Sequence, residues 1–229
     1  MRPDLPGPPR RLRRRPWIEA EFASLDFETT GLDPDRDAVV SFGVVPVRHG
    51  RVILAESQYR EIAPEAPLTA RSIVVHGLRP LDLRGAPALH EVLPDLRASL
   101  QGRYILAWSA DVEAGFLSRA FGGSGRWWRR RIIDVLLLAQ VADRLEDRAA
   151  RPGDYNLTTA AARIGTPVHA PHHALDDALT TAQVFLVLAT KLSTRGYRTP
   201  ARLLKAGRRL RTQRSGRLGV TAVPGAPRS

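Results

Sequence analysis

Two carboxylates at the end of a short apolar segment constrain the fold of this chain more than any other feature of its sequence. Residues 22–27 are mostly apolar and are followed by Thr-Thr-Gly at 29–31, which predicts a β-strand that ends in a turn. Asp26 and Glu28 are two positions apart, so the pleat of the strand places both carboxylates on the same face. An Asp-x-Glu pair arises by chance about once in a chain of this length. Together with the strand and the turn, however, the pair predicts a site for a divalent cation.

The hydrophobic pattern beyond this strand predicts an α/β fold. Residues 39–47 and 51–60 flank a His-Gly turn, which predicts a hairpin and, with the first strand, an antiparallel three-strand meander. Residues 104–108 are expected to form a further strand between helices, and residues 122–131 a loop at one edge. The segments with helical apolar spacing are 87–100, 111–120, 135–145, 156–165 and 174–192.

The formal charge of +12 is concentrated at the two ends of the chain. Residues 1–16 have a net charge of +5 and residues 193–229 of +10, which leaves −3 for residues 17–192. The sequence therefore predicts a central domain over 17–192 between a basic, disordered N-terminal tail and a basic, flexible C-terminal tail. Two roles remain open for the tails, solvated disorder and electrostatic attachment to nucleic acid.

Composition excludes several kinds of site. The chain has no cysteine, so disulfides, thiolate zinc sites and cysteine nucleophiles are excluded, and any metal must bind oxygen or nitrogen ligands. No segment approaches the roughly 18 to 20 consecutive apolar residues that span a bilayer, and the Arg/Pro-rich start lacks the apolar core of a signal peptide. We expect a soluble, cytoplasmic protein without a membrane partner.

A second group of polar residues lies at the start of the last long helix predicted within the central domain. His172 precedes Asp177 by five positions, so a histidine in the loop can fold back toward an acid in the first turn of the helix. His169 and His173 compete with His172 for this role. The segment predicts a base close to an acid.

These pieces together resemble the DnaQ-like exonucleases of the DEDDh type, within the ribonuclease H-like superfamily, over residues 22–192. The resemblance implies a mixed sheet, in which the antiparallel meander is joined to parallel strands, flanked by helices. The first motif of that family is an acid pair followed by Thr-Thr-Gly, as Asp26 and Glu28 are here. The third motif is a histidine, four residues and an aspartate, as His172 and Asp177 are here. Further likenesses to the family are His76-Gly77-Leu78 and Ile133-Asp134.

The second motif departs from the family pattern. The family has an aspartate three residues before a Phe-Leu pair, and anchoring on Phe116-Leu117 places Glu113 at that position. Asp111, two positions earlier, remains the alternative. Because Glu is one methylene longer than Asp, Glu113 can still reach a metal, but a changed metal preference and a loss of activity both remain open.

The resemblance implies a chemistry for these residues. Asp26, Glu28, Glu113 and Asp177 would hold two Mg²⁺ or Mn²⁺ ions at the scissile phosphate, and His172 would act as the general base. The reaction would release nucleoside monophosphates from the 3' end of a nucleic acid. The residues expected to bind the terminal nucleotide are Thr29, Gly31, Leu32, His76 and Phe116.

The substrate and the partners are less constrained. The resemblance implies single-stranded or 3'-terminal nucleic acid as the ligand, with DNA favoured over RNA, and it leaves a polymerase or repair complex open as a protein partner. An RNA-trimming 3'-to-5' exoribonuclease is one alternative. The other is a non-catalytic nucleic-acid-binding module, in which the altered second motif has abolished metal binding and the basic tails bind the ligand.

Overall fold

A computed structural model describes residues 5–149 and 151–218, which form one six-stranded sheet with helices on both faces. The strands are β1 (Glu21–Thr29), β2 (Val39–Arg48), β3 (Arg51–Val52), β4 (Gln58–Glu61), β5 (Tyr104–Ala107) and β6 (Ile132–Asp134). The helices are α1 (Ala70–His76), α2 (Leu89–Leu100), α3 (Ala110–Phe121), α4 (Gly125–Arg129), α5 (Val135–Leu145), α6 (Leu157–Arg163), α7 (Ala174–Thr194) and α8 (Pro200–Leu218). Short 3₁₀ helices cover Arg10–Arg14, Trp17–Glu19, Leu54–Glu56 and Pro152–Tyr155. Within these described ranges, no helix combines the length and the apolar character needed to cross a bilayer.

The order of the strands brings the carboxyl ends of three strands to one edge of the sheet. The order is β3-β2-β1-β5-β6, and β4 also pairs with β2. β1 is antiparallel to β2 and parallel to β5, which is parallel to β6. Because β1, β5 and β6 run in the same direction, their carboxyl ends and the starts of α3 and α5 lie at the same edge. The predicted α/β fold, a meander joined to parallel strands, is confirmed.

The side chains of β1 alternate between two hydrophobic cores. Phe22 belongs to the core under α5, α7 and α8, whereas Leu25 and Phe27 belong to the core under α2 and α3. Asp26 and Glu28 share the parity of Phe22, so they lie on the face of the sheet that α7 covers. The alternation that buries the apolar residues therefore also directs the two acids toward α7.

A close approach between α7 and β2 brings the start of this helix to the acids. Gly43 pairs with Asp26 across the sheet, and a Cβ at Gly43 would overlap the backbone of Ala174 and Leu175. The absence of a side chain at this position is what allows the first turn of α7 to lie directly on the sheet beside Asp26.

The helices and strands differ from the sequence prediction in several places. The bounds of α5 agree with it, and most other elements differ only at their ends. Residues 51–60 are not one strand, because the 3₁₀ helix Leu54–Glu56 forms its own backbone turns between β3 and β4. Residues 122–131 are not all loop, because Ser124 caps α4 by accepting a hydrogen bond from the amide of Trp127. Helix α1 was not predicted at all.

The described residues of both predicted tails contact the domain. Leu5 is buried in the core under α2 and α3, and the carbonyl of Pro6 accepts a hydrogen bond from Gly102. At the other end, α8 packs on α5 and buries Leu203 and Leu210. A few apolar residues at helical spacing suffice to dock a basic segment. Residues 1–4 and 219–229, which the same prediction covers, lie outside the described part of the chain.

The close approach at Gly43 generates a stability prediction. Gly43→Ala inserts a methyl group into the backbone of α7, and such overpacking costs about 1–3 kcal/mol. Urea denaturation followed by tryptophan fluorescence measures the loss. Gly125→Ala is the matched control, because a Cβ there has its nearest contact at 3.8 Å. A Gly43→Ala protein as stable as the control would contradict this packing.

The docking of α8 generates a second stability prediction. Leu203 is fully buried against the domain, so Leu203→Ala is expected to lower the free energy of unfolding by about 2–5 kcal/mol. Lys205→Ala, at an exposed position of the same helix, is expected to have little effect. Equal stability of the two variants in urea denaturation would show that α8 is not part of the folded domain.

Candidate active site

Three carboxylates from two elements converge at the carboxyl end of β1. Asp26 and Glu28 come from β1, and Asp177 comes from the first turn of α7, where it faces them across the close approach of that helix. One oxygen of each carboxylate can be chosen so that all three oxygens lie within 4.8 Å of one another. The pairing register of β1 shifts between Glu28 and Thr29, so the strand is irregular where the site begins.

The loop before α7 fixes the position of Asp177. The backbone amide of His172 donates a hydrogen bond of 2.9 Å to Oδ2 of Asp177. His172 has a left-handed backbone conformation, with φ of 62°, which turns the chain back over the start of the helix. The histidine and the aspartate of the third motif are thereby held next to each other.

Glu113, and not Asp111, lies beside these carboxylates. Glu113 is 4% exposed on the inner side of α3, and its charge contributes more than any other neighbour to the raised pKa of Asp26. Its Oε2 atom is buried without a hydrogen-bond partner in the described structure, although Glu113 lies outside the group of three within 4.8 Å. The side chain of Asp111 is 58% exposed and forms an ion pair of 3.1 Å with Arg129.

Burial raises the pKa of all four carboxyl groups, and repulsion within the group adds to this rise for Asp26, Glu28 and Glu113. Burial, followed by the charge of Asp177, raises the pKa of Glu28 to about 8. Burial is also the main cause that raises the pKa of Glu113 to about 8 and that of Asp26 well above its usual range. Burial likewise raises the pKa of Asp177. A cation among these groups would favour their ionised forms at neutral pH.

The residues fit a site for divalent cations. Mg²⁺ and Mn²⁺ prefer carboxylate oxygens, and this site offers a clustered set together with the unpaired Oε2 of Glu113. The absence of thiolates and the predominance of oxygen donors disfavour zinc. A bound cation would both remove the repulsion and provide a partner for the unpaired oxygen.

Asp134 supports the site from behind, a role the sequence analysis did not assign. Its carboxylate accepts hydrogen bonds from the amide of Leu137, at 2.9 Å, and from the amide of Ala110, at 3.2 Å. It therefore caps α5 and ties the start of α3 to the end of β6. Its charge also contributes to the raised pKa of Glu113. The sequence feature that pointed to Asp134 is the Ile133-Asp134 pair, which resembles a segment of the family.

His76 and His172 lie close together near the carboxylates. Burial and then the charge of His172 lower the pKa of His76. Nδ1 of His76 accepts a hydrogen bond of 3.1 Å from the amide of Leu78. This assigns the proton to Nε2, which is buried without a partner in the described part of the chain. His76 thus keeps one hydrogen-bond donor available.

The competing histidine His173 has a different role. Its ring stacks on Tyr59 at 4.5 Å between centroids, and its Nδ1 lies 3.3 Å from Oδ2 of Asp176. These contacts attach the start of α7 to β4, so His173 positions the helix. Tyr59 could not be found from the sequence because it is far from His173 along the chain.

The turn after β1 forms one wall of the site. The hydroxyl of Thr29 donates a hydrogen bond of 2.6 Å to the carbonyl of Gly31. Gly31 lies directly against the carboxylate of Asp37, where a Cβ would clash. Leu32 is 75% exposed beyond this turn, which leaves its side chain free to contact a ligand.

Phe116 does not reach the site surface, contrary to the sequence prediction. It is 2% exposed and packs against Phe27, with ring centroids 6.3 Å apart, in the core under α2 and α3. The physical reason is its place on α3, three residues after Glu113, on the helix face that packs against the sheet. It supports β1 from the opposite face.

Helix α1 forms an exposed apolar rim that the sequence analysis missed. The hydroxyl of Thr69, which caps the helix, is 3.5 Å from the carbonyl of Thr30, and the helix ends at His76. Val74 and Val75 are exposed on it. The helix has only seven residues, too few for a periodic apolar pattern to stand out.

The chain was compared with families and relatives of known proteins. Residues 24–185 match the RNase_T family model, which is described as exonuclease. The PolC-type DNA polymerase III of Thermotoga petrophila is 33% identical over 168 residues, a match that covers 73% of this chain and 12% of the polymerase. The chain thus spans about an eighth of that relative.

Solved structures show the same fold. Exonuclease X in complex with 5'-overhanging duplex DNA superimposes with a TM-score of 0.58 at 20% identity, covering 81% of this chain and 99% of that one. The nuclease domain of 3'hExo, a DEDDh family member bound to rAMP, has a TM-score of 0.60 at 16% identity and covers 79% of this chain and 95% of that one. Since the family model matches more than half of the sequence, the chain belongs to the exonuclease family, of the DnaQ-like type that its motifs predicted.

Proposed function

We propose that the protein is a metal-dependent 3'-to-5' exonuclease that releases nucleoside monophosphates from the 3' end of DNA. The observation that carries the proposal is the cluster of Asp26, Glu28 and Asp177 within 4.8 Å, with the unpaired Oε2 of Glu113 beside it. DNA is favoured because the relative from Thermotoga petrophila is a DNA polymerase and Exonuclease X was solved with DNA. A polymerase or repair complex is the proposed protein partner.

The four carboxylates would hold two Mg²⁺ or Mn²⁺ ions. When bound, such ions activate a water for attack on phosphorus and stabilise the charge on the departing 3' oxygen. The protein contributes a set of ligands on rigid elements. Asp26 and Glu28 are fixed by the sheet, Asp177 by the backbone amide of His172, and Glu113 by α3. Asp134 keeps α3 in place because it accepts a hydrogen bond from the first residue of that helix.

His172 is the proposed general base. Its imidazole is at the exposed rim of the site, and its own backbone amide is anchored to Asp177. A neutral imidazole can accept the proton of the attacking water.

The wall of the site would hold the terminal nucleotide. Thr29 and Gly31 present backbone and hydroxyl groups at the turn, and the exposed Leu32 would pack on the last base. The Nε2 donor of His76 would bind an oxygen of the nucleotide, which would satisfy its unpaired proton.

The first test compares carboxylate variants on 5'-labelled single-stranded DNA and RNA of the same sequence. With Mg²⁺ or Mn²⁺ we expect a ladder shortened from the 3' end, faster on DNA. Asp26→Asn and Glu113→Gln are expected to slow it by about 100-fold or more, since each removes a proposed metal ligand. Asp111→Asn is the matched control and is expected to keep its activity.

The outcomes separate the alternatives. Faster cleavage of RNA would select the exoribonuclease instead. Binding of both oligonucleotides without any ladder would select the non-catalytic module. A loss with Asp111→Asn but not with Glu113→Gln would show that the second-motif ligand is misassigned.

The second test is the pH dependence of stability in the metal-free protein. The pKa of Glu28 rises from 4.5 to about 8 on folding, so its protonated form is favoured in the folded state. Its contribution to stability is therefore fully present below about pH 4.5 and is lost as the pH rises through about 8. Urea denaturation in EDTA should give a free energy of unfolding that falls over this window.

Variants and metal provide the controls for this test. The side chain introduced by Glu28→Gln cannot ionise, so the free energy of unfolding of this variant should decrease less as the pH rises. Asp111→Asn should show the same decrease as the unaltered protein. Adding Mg²⁺ or Mn²⁺ at the upper end of the window should restore stability, because a ligand that binds only the folded state stabilises it. A flat profile in EDTA would contradict the proposed repulsion.

A further inference from the structure

A basic groove lies beside the amino ends of β5 and β6. It has a volume of about 550 Å³ and is lined by residues from four separate parts of the chain, the N-terminal segment, the start of β5, the α4 region and α8. Five of the lining residues are arginines and none is acidic. The arginines are Arg10, Arg13, Arg130, Arg131 and Arg208.

Direct contacts hold the walls of this groove together. Nη2 of Arg208 on α8 donates a hydrogen bond of 2.7 Å to the carbonyl of Arg130. The guanidinium of Arg131 lies 4.3 Å from the ring centre of Trp127 and packs against Gly7, where a Cβ would clash with it. The groove is therefore part of the folded domain and is not formed by unattached tails.

The groove adjoins a cavity that reaches the carboxyl end of β6. This cavity is lined by Asp134 and Leu137 and shares Arg130, Leu204 and Arg208 with the groove. Asp134 is the residue whose carboxylate accepts a hydrogen bond from the start of α3, the helix that carries Glu113.

The charges in the groove are close enough to repel one another. Burial, and then the charges of Arg130 and Arg13, lower the pKa of Arg208, and burial lowers that of Arg131. Guanidinium groups remain charged in proteins despite such shifts. Arginines gathered from distant parts of a chain raise the energy of the protein alone, and a bound polyanion removes that repulsion.

We propose that this groove binds the phosphodiester backbone of a single-stranded nucleic acid, upstream of the nucleotide in the active site. The proposal rests on the proposed function for the position of the 3' end. Arginine forks pair with phosphate oxygens through two hydrogen bonds, and they do so equally with DNA and RNA. The domain thereby obtains affinity for a polyanion although residues 17–192 have a net charge of −3.

The test is equilibrium binding of a labelled 20-nucleotide single strand, measured by fluorescence anisotropy in EDTA, where cleavage cannot proceed. The variant Arg10→Gln with Arg13→Gln removes two charges at exposed positions of the groove. We expect its Kd to rise about tenfold at low salt. The slope of log K against log salt should become shallower by about 1.4, since each lost phosphate contact on a single strand contributes about 0.7.

A matched control removes the same charge elsewhere. Arg51→Gln with Arg84→Gln alters two exposed arginines, of which Arg51 is in β3 at the opposite edge of the sheet. This variant should keep the Kd and the salt slope of the unaltered protein. DNA and RNA strands of one sequence are compared, and equal losses with both are expected because the phosphates are shared.

A second groove variant controls for a local change in structure caused by the first pair of substitutions. Arg130→Gln with Arg208→Gln changes the opposite wall and should give the same loss of affinity, with folding checked by thermal denaturation. If this variant unfolds, the Kd and salt slope of the variant Arg10→Gln with Arg13→Gln are the test of the proposal.

A folded groove variant that binds both strands as the control does would overturn the proposal. The exonuclease proposal is tested separately, because its failure would abolish cleavage with Mg²⁺ or Mn²⁺ without altering the binding measured in EDTA.

Discussion

Repulsion among buried carboxylates is the interaction on which the rest of the structure depends. Asp26, Glu28, Glu113 and Asp177 are gathered in a place where water screens them poorly, and burial is the first cause of the raised pKa of each. Such an arrangement lowers the stability of the protein alone and is retained where function requires it. The two hydrophobic cores around β1 supply the stability that offsets it.

The scaffold places these acids by ordinary packing rules. The alternation of β1 buries Phe22 and Leu25 in opposite cores and thereby directs both acids to one face. The bare backbone of Gly43 lets α7 lie directly on the sheet. Asp134 joins two helix starts through a single carboxylate. Each contact is local, yet together they position groups that are far apart along the chain.

The sequence predicted what local patterns encode. The acid pair followed by a turn, the meander, β5 and α5 follow from periodicity. The family resemblance, anchored on Phe116-Leu117, placed Glu113 ahead of Asp111. What it missed depends on tertiary contacts. The stack of His173 on Tyr59 joins distant segments, and Phe116 is buried by the docking of α3. Helix α8 was masked by its arginines, since a charge-rich composition hides the few leucines that dock it.

The position of α7 in the chain also determines when the site can exist. β1 supplies two of the clustered carboxylates near the start of the domain, whereas Asp177 comes from the last helix but one of the described chain. A polypeptide emerges from the ribosome from its N-terminus, so the β1 acids are exposed well before α7 can dock. The complete set of ligands is assembled only when nearly the whole domain has been synthesised. A nascent or truncated chain therefore lacks the complete carboxylate cluster, and the proposed nuclease activity is coupled to completion of the fold.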